Sequence, residues 1–197
     1  MKTIKAQLKA NNTETNNAFQ FGLTLCQMFN TIRPNTAIIA GGFLRDLETG
    51  RQPKDVDVFI ECDSDYGVSM VETYAELAGC VVKRHEGSSK SFKQEDPNNE
   101  NVKEVLTLES TDKLSVDVIF LKTPVRDRVK IFPCNASMLY FDPELGELGE
   151  VVRTPKFKEF LKNSVLKFYD TAKILYIRRL SGYYPNCSYE LHQTKKS

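Results

Sequence analysis

A chain of 197 residues carrying a formal net charge of +1, 41% hydrophobic and 27% charged, suits one ordinary domain, or one domain with a small helical appendix. No apolar run approaches the roughly 20 residues that cross a bilayer, and the polar N-terminus lacks the apolar core of a secretory signal. A cytoplasmic protein with no membrane partner is therefore expected. Five cysteines with no Cys-x-x-Cys pair, and two histidines far apart in the chain, His85 and His192, argue against a disulfide framework or a zinc site.

The first predicted element is an amphipathic helix over residues 14–29, with Phe19, Leu23 and Cys26 along one side. A short apolar strand over 36–40 runs into Gly41-Gly42, which open a helix that Gly50 closes. Residues 55–61 then alternate, with Val56, Val58 and Ile60 on one face and Asp55 and Asp57 on the other. Residues 66–78 read as a helix stopped by Gly79, and 80–84 as a strand with His85 at its end. The polar stretch 87–101 is expected to be a mobile loop. A hairpin joins 102–108 to 114–121.

Beyond Pro124 the pattern is less regular. Residues 134–140 read as a helix or a strand–helix junction, and 142–146 as a turn. Helices are expected over 157–161 and 164–180, with Leu161, Val165, Phe168, Ala172 and Leu175 as one apolar stripe and a polar tail from Ser181 onward. Acids outnumber Lys and Arg up to Asp112, and the balance reverses after it. A basic C-terminal half fits a phosphate-rich partner.

The chemistry concentrates in three acids. Asp55 and Asp57, two apart on one strand, aim their carboxylates at one point beside a glycine turn. Asp117 sits at the centre of an otherwise apolar strand, where a lone carboxylate needs a partner or an ion. Converging carboxylates repel one another, and a divalent cation relieves that repulsion. Mg²⁺ (or Mn²⁺), which takes oxygen ligands and substrate phosphates, is the expected cofactor. Gly41 and Gly42, lacking Cβ atoms, let backbone N–H groups approach a phosphate, and Arg45 lies one turn away. Asp46 is expected to order this loop by hydrogen bonding.

The run Gly41-Gly42-Phe43-Leu44-Arg45-Asp46, followed by Pro53-Lys54-Asp55-Val56-Asp57, resembles the head domain of class II tRNA nucleotidyltransferases and bacterial poly(A) polymerases, in the polymerase-β-like nucleotidyltransferase superfamily. The resemblance implies an α+β fold: a head (residues 1–150) with a mixed β-sheet flanked by helices, then a short helical neck-like segment (151–197). It implies metal on the paired aspartates, triphosphate at the glycines and Arg45, and Asp117 as the third acid. More weakly, Phe132-Pro133-Cys134-Asn135-Ala136 is similar to a motif contacting ribose and triphosphate, which nominates Asn135. There the motif's acid falls on Ile131 and its arginine on Lys130, unless Arg126-Asp127 has been displaced by an insertion. The run Tyr169-Asp170-Thr171-Ala172-Lys173 is similar to a base-reading motif, which nominates Asp170 and Lys173, with lysine replacing arginine.

The expected activity is transfer of NMP from an NTP to a hydroxyl, most naturally an RNA (tRNA included) 3′ end, with release of pyrophosphate. Two alternatives stand beside it: a non-catalytic nucleotide- or RNA-binding protein on the same fold, and a nucleotidyltransferase acting on a protein or small molecule.

Overall fold

The structure, a computed structural model, describes residues 8, 12–85, 101–147, 149–169 and 172–192. All but the last residue of the polar stretch expected as a loop, and Asp170, lie outside the described residues.

Helix α1 (Thr13–Ile32) begins where the Asn12 side chain accepts the Thr15 N–H at 2.8 Å. Its buried residues, Phe19, Leu25 and Cys26 among them, lie against β1 (Ala37–Ala40), β2 (Asp55–Glu61) and β5 (Lys113–Leu121). A Cβ added at Gly22 would come within 3.1 Å of Val58 and 3.3 Å of Val56, so glycine here lets the helix settle closely on the strands. Helix α2 (Gly42–Glu48) follows β1, and α3 (Asp65–Leu77) follows β2, capped by Ser64. Strands β3 (Val81–His85) and β4 (Val102–Ser110) precede β5, and α4 (Val125–Lys130) follows it. A 3₁₀ turn (Asn135–Ser137) leads into β6 (Leu139–Asp142) and β7 (Glu150–Arg153).

Among the described residues these strands form one mixed sheet of order β3-β4-β5-β2-β1-β6-β7, in which the β2–β5 pair is parallel and the other pairs antiparallel. The expected α+β architecture is therefore present. Alternation along the strands separates two cores. One face carries Val56, Val58, Ile60, Val116, Val118 and Phe120 into the core under α1 and α3. The other carries Ile38, Ala40, Phe59, Ile119 and Leu121 against Val125 and Val129 of α4. Asp55, Asp57 and Asp117 share strand parity with Phe59 and Ile119, so the acids continue this second face beyond its apolar part.

The C-terminal segment departs from the expected long helix over 164–180. Helix α5 (Pro155–Asn163), capped by Thr154, ends at Ser164, whose φ of 54° turns the chain through the left-handed region. Strand β8 (Val165–Tyr169) follows, then α6 (Ile174–Tyr183) and β9 (Ser188–His192), which pairs with β8 in parallel. The segment after Ser164 alternates with Leu166 and Phe168 inward, a period of two, where the expected stripe assumed a period near 3.6. That stripe does not form: Leu175 is 70% exposed and Phe168 is buried. The polar tail expected from Ser181 onward instead includes the end of α6 and β9. No described helix is long and apolar enough to cross a membrane.

Candidate active site

A cleft of about 240 Å³ opens where β1, β2 and β5 meet α2, α4 and α6. Its lining includes six of the residues singled out from sequence: Gly41, Gly42, Arg45, Asp55, Asp57 and Asp117. Sheet register creates the acidic floor. Asp57 stands opposite Asp117 across the parallel β2–β5 pair, and Asp55 precedes Asp57 by two residues on the same face. Among the described residues, no three or more His, Cys, Asp or Glu side chains are gathered closely enough to hold a metal ion as they stand.

Gly41 has φ 84°, and a Cβ built there would lie 3.1 Å from an Asp57 carboxylate oxygen. The positive φ favours glycine, and a side chain there would crowd Asp57. The neighbouring Gly42 N–H hydrogen-bonds Asp57. Arg45 donates through Nε to Asp46 Oδ1 at 2.9 Å and through a terminal nitrogen to Ser137 Oγ at 3.2 Å, which fixes its guanidinium beside the glycine turn. Asp46 also accepts from the Tyr184 hydroxyl at 3.4 Å, which ties α2 to the end of α6.

The electrostatics of the floor are under tension. Burial, then the charges of Asp55 and Asp117, push the Asp57 carboxyl well above the usual carboxylate range, with Arg45 and the Gly42 N–H opposing. Burial also raises Asp55, against the pull of Arg45, Arg179 and Lys54 and with the push of Asp46. Asp117 is raised by burial and by Asp55, while the Thr107 hydroxyl and His85 act the other way. Thr107 Oγ1 donates to Asp117 Oδ1 at 2.6 Å, and His85 Nε2 lies 2.9 Å from Thr107 Oγ1. His85 is therefore joined to the acidic floor through one side chain.

Hard oxygen donors that repel one another when ionised are what a divalent cation takes as ligands, and the carboxylates here have that chemistry. Around them the walls are basic: Lys54, Arg128 and Arg179 line the cleft with Arg45. Phe59, Phe132, Tyr176 and Tyr183 add aromatic surface. Of these, Lys54 belonged to the quoted motif. Phe59 lies on β2 and Phe132 stood in the second quoted motif, whereas Arg128, Arg179, Tyr176 and Tyr183 come from α4 and α6, and nothing local in the sequence marks them.

Two further candidates, Asn135 and Lys173, do not line the cleft. Asn135 is fully buried, and its carboxamide joins β8: Nδ2 donates to the Val165 carbonyl at 3.0 Å, and Oδ1 accepts the Lys167 N–H at 2.9 Å. Lys173 is exposed at the start of α6 and is not part of the cleft lining. Neither Arg126 nor Asp127 reaches the cleft: Arg126 pairs with Asp142 and Asp127 with Lys130.

No protein-family model and no curated sequence matches the chain. Solved structures do. A CCA-adding enzyme in complex with CTP superposes with a TM-score of 0.59 at 12% identity, over 85% of this chain and 37% of that one. The Thermotoga maritima CCA-adding enzyme complexed with tRNA gives 0.58 at 13% identity, over 85% and 37%. A tRNA nucleotidyltransferase with a primer tRNA and an incoming ATP analog gives 0.53 at 16%, over 84% and 46%. The chain thus spans less than half the length of these enzymes. At such identities the likeness is one of fold: this chain shares the fold of the matched part of these enzymes.

Proposed function

We propose that the chain is a divalent-metal-dependent nucleotidyltransferase that moves NMP from an NTP to a hydroxyl acceptor, with an RNA 3′ end, tRNA included, as the acceptor. The observation that carries this reading is the facing of Asp57 and Asp117 on adjacent parallel strands, with Asp55 on the same face and the Gly41 turn in contact with Asp57. In this reading Asp55, Asp57 and Asp117 hold Mg²⁺ or Mn²⁺. Bound there, the cation offsets their mutual repulsion and neutralises charge on the phosphates.

The chain's own residues do the rest. Gly41 and Gly42 leave room for the triphosphate, and Arg45, held by Asp46 and Ser137, faces it with a fixed cation. Lys54 and Arg179 extend the positive wall. The acceptor oxygen forms a bond to the α-phosphorus as the bond from that phosphorus to the β-bridging oxygen breaks. Pyrophosphate leaves with that electron pair, and the hydroxyl proton passes to Asp117. The complexes with CTP, ATP and tRNA formed by structurally similar enzymes support NTP and RNA as partners, as does the basic surplus of the C-terminal half.

The test is label transfer from each α-labelled NTP to bulk RNA in Mg²⁺ or Mn²⁺. Transfer is expected, and Asp55→Ala with Asp57→Ala is expected to reduce it at least about 10³-fold. Transfer that survives the double substitution contradicts the roles given to these acids. A second reading, a non-catalytic nucleotide- or RNA-binding protein, draws on the engagement of Asn135 with β8 and the position of Lys173 outside the cleft. It predicts NTP or RNA binding with no pyrophosphate released for any acceptor.

A further inference from the structure

A line of polar side chains crosses the sheet on the cleft face. Asp57, Asp117 and Thr107 stand opposite one another on β2, β5 and β4, and His85 on β3 lies diagonally beyond Thr107. The hydrogen bonds follow that line: His85 Nε2 to Thr107 Oγ1 at 2.9 Å, then Thr107 Oγ1 to Asp117 Oδ1 at 2.6 Å. A threonine hydroxyl has one proton. An ionised carboxylate only accepts, so that proton belongs to the Thr107–Asp117 bond, and Thr107 can meet His85 only as an acceptor. With Asp117 ionised, His85 therefore donates from Nε2.

We propose that His85, acting through the Thr107 hydroxyl, is a positioning residue for Asp117. The proposal rests on the nucleotidyltransferase reading above. Thr107 occupies Oδ1 of Asp117 and so fixes the carboxylate's rotation, which leaves Oδ2 to act in the cleft. His85 keeps the hydroxyl from turning its proton elsewhere. Outer partners of this kind decide whether a ligand side chain sits in its working orientation.

The structural alternative is that Thr107 and His85 only knit β3 to β4. Both strands already pair through five registered positions from Val81–Glu109 to His85–Val105, so loss of the two side-chain bonds need not unfold the edge. Thr107→Val keeps the shape of the side chain and removes the hydroxyl. Thr107→Ser restores the hydroxyl, and His85→Gln retains an N–H donor where His85→Phe does not.

Three readouts decide it. In proton NMR, a protected imidazole Nε2–H signal is expected, absent in His85→Phe, present in His192→Gln, lost in Thr107→Val and kept in Thr107→Ser. In a titration with Mn²⁺ alone, Thr107→Val and His85→Phe should weaken binding about 10-fold, with Thr107→Ser and His85→Gln near wild type. In the transfer assay, the same two damaging variants should lower kcat about 10-fold with KM for NTP little changed. A His85 proton on Nδ1, or Mn²⁺ affinity that ignores Thr107→Val in a folded protein, overturns the proposal. Should the wild type transfer no nucleotide, the enzymatic reading fails, and the NMR and Mn²⁺ readouts still decide whether His85 orients Asp117.

Discussion

Buried and half-buried acids occur in two kinds of setting in this molecule, and the contrast between them bears on the proposed site. Glu48, its side chain 5% exposed, receives a two-pronged hydrogen bond from Arg153, with Nε at 2.9 Å and a terminal nitrogen at 2.5 Å. Asp142, its side chain 1% exposed, pairs with Arg126 at 2.5 Å and accepts the Glu144 N–H at 3.1 Å. Each has its own arginine. In the cleft, the guanidinium nearest Asp57 is engaged with Asp46 and Ser137, and among the described residues none of Asp55, Asp57 and Asp117 forms an ion pair. Glu48 on α2 and Asp142 on β6 are neutralised within the chain, whereas the three acids on the cleft floor repel one another. A cluster of this kind is what the proposed function would use to hold a ligand.

The sharpest way to break that contrast is to remove one member of each set. Arg153→Met should lower stability by about 3 kcal/mol, because it strips Glu48 of a bidentate partner in a buried setting. Asp57→Asn should do the reverse in a chelator: the amide removes a repelled charge, so the melting temperature should rise. Thermal melts of the two variants in EDTA check both signs, and a lower melting temperature for Asp57→Asn would place that acid with the structural pairs.

The next largest effect follows from pH. The folded-state pKa values of Asp55, Asp57 and Asp117 lie above their unfolded values, so the folded chain holds more protons than the unfolded one at mildly acidic pH. Stability contributed by these groups is therefore present near the unfolded carboxylate value of about 4 and is lost as pH rises through their raised values. Metal-free protein should melt higher at mildly acidic pH than at neutral pH, relative to an Asp55→Asn, Asp57→Asn, Asp117→Asn triple variant. Added Mg²⁺ should erase the difference at neutral pH. A smaller effect is expected at Asn135, whose amide serves two β8 backbone groups. Asn135→Ala should cost about 2 kcal/mol of stability and leave KM for NTP nearly unchanged in the fraction that remains folded.

How far these features were legible in the sequence depends on how local their causes are. Strand alternation set Asp55 and Asp57 on one face, and the structure returns β2 with the expected bounds. Asp117 stood out because an acid interrupts an apolar strand, whereas the parallel pairing that sets it opposite Asp57 is a long-range contact. Residues after Ser164 were read as helix because Leu161, Val165, Phe168, Ala172 and Leu175 fit a helical period. The deciding influences are a left-handed Ser164 and a pairing between β8 and β9 across the intervening α6, neither of which a short window contains. The same holds for the cleft walls. Arg128 and Arg179 look like ordinary helix cations in the sequence, and only the packing of α4 and α6 turns them toward the acids.

The measurement closest to the central claim is a calorimetric or paramagnetic titration of the purified chain with Mn²⁺, repeated on Asp57→Asn and Asp117→Asn. Saturable binding in the wild type, weakened at least about 10-fold by either substitution, is the predicted result. Binding of equal strength in all three proteins would mean that these carboxylates do not share a cation.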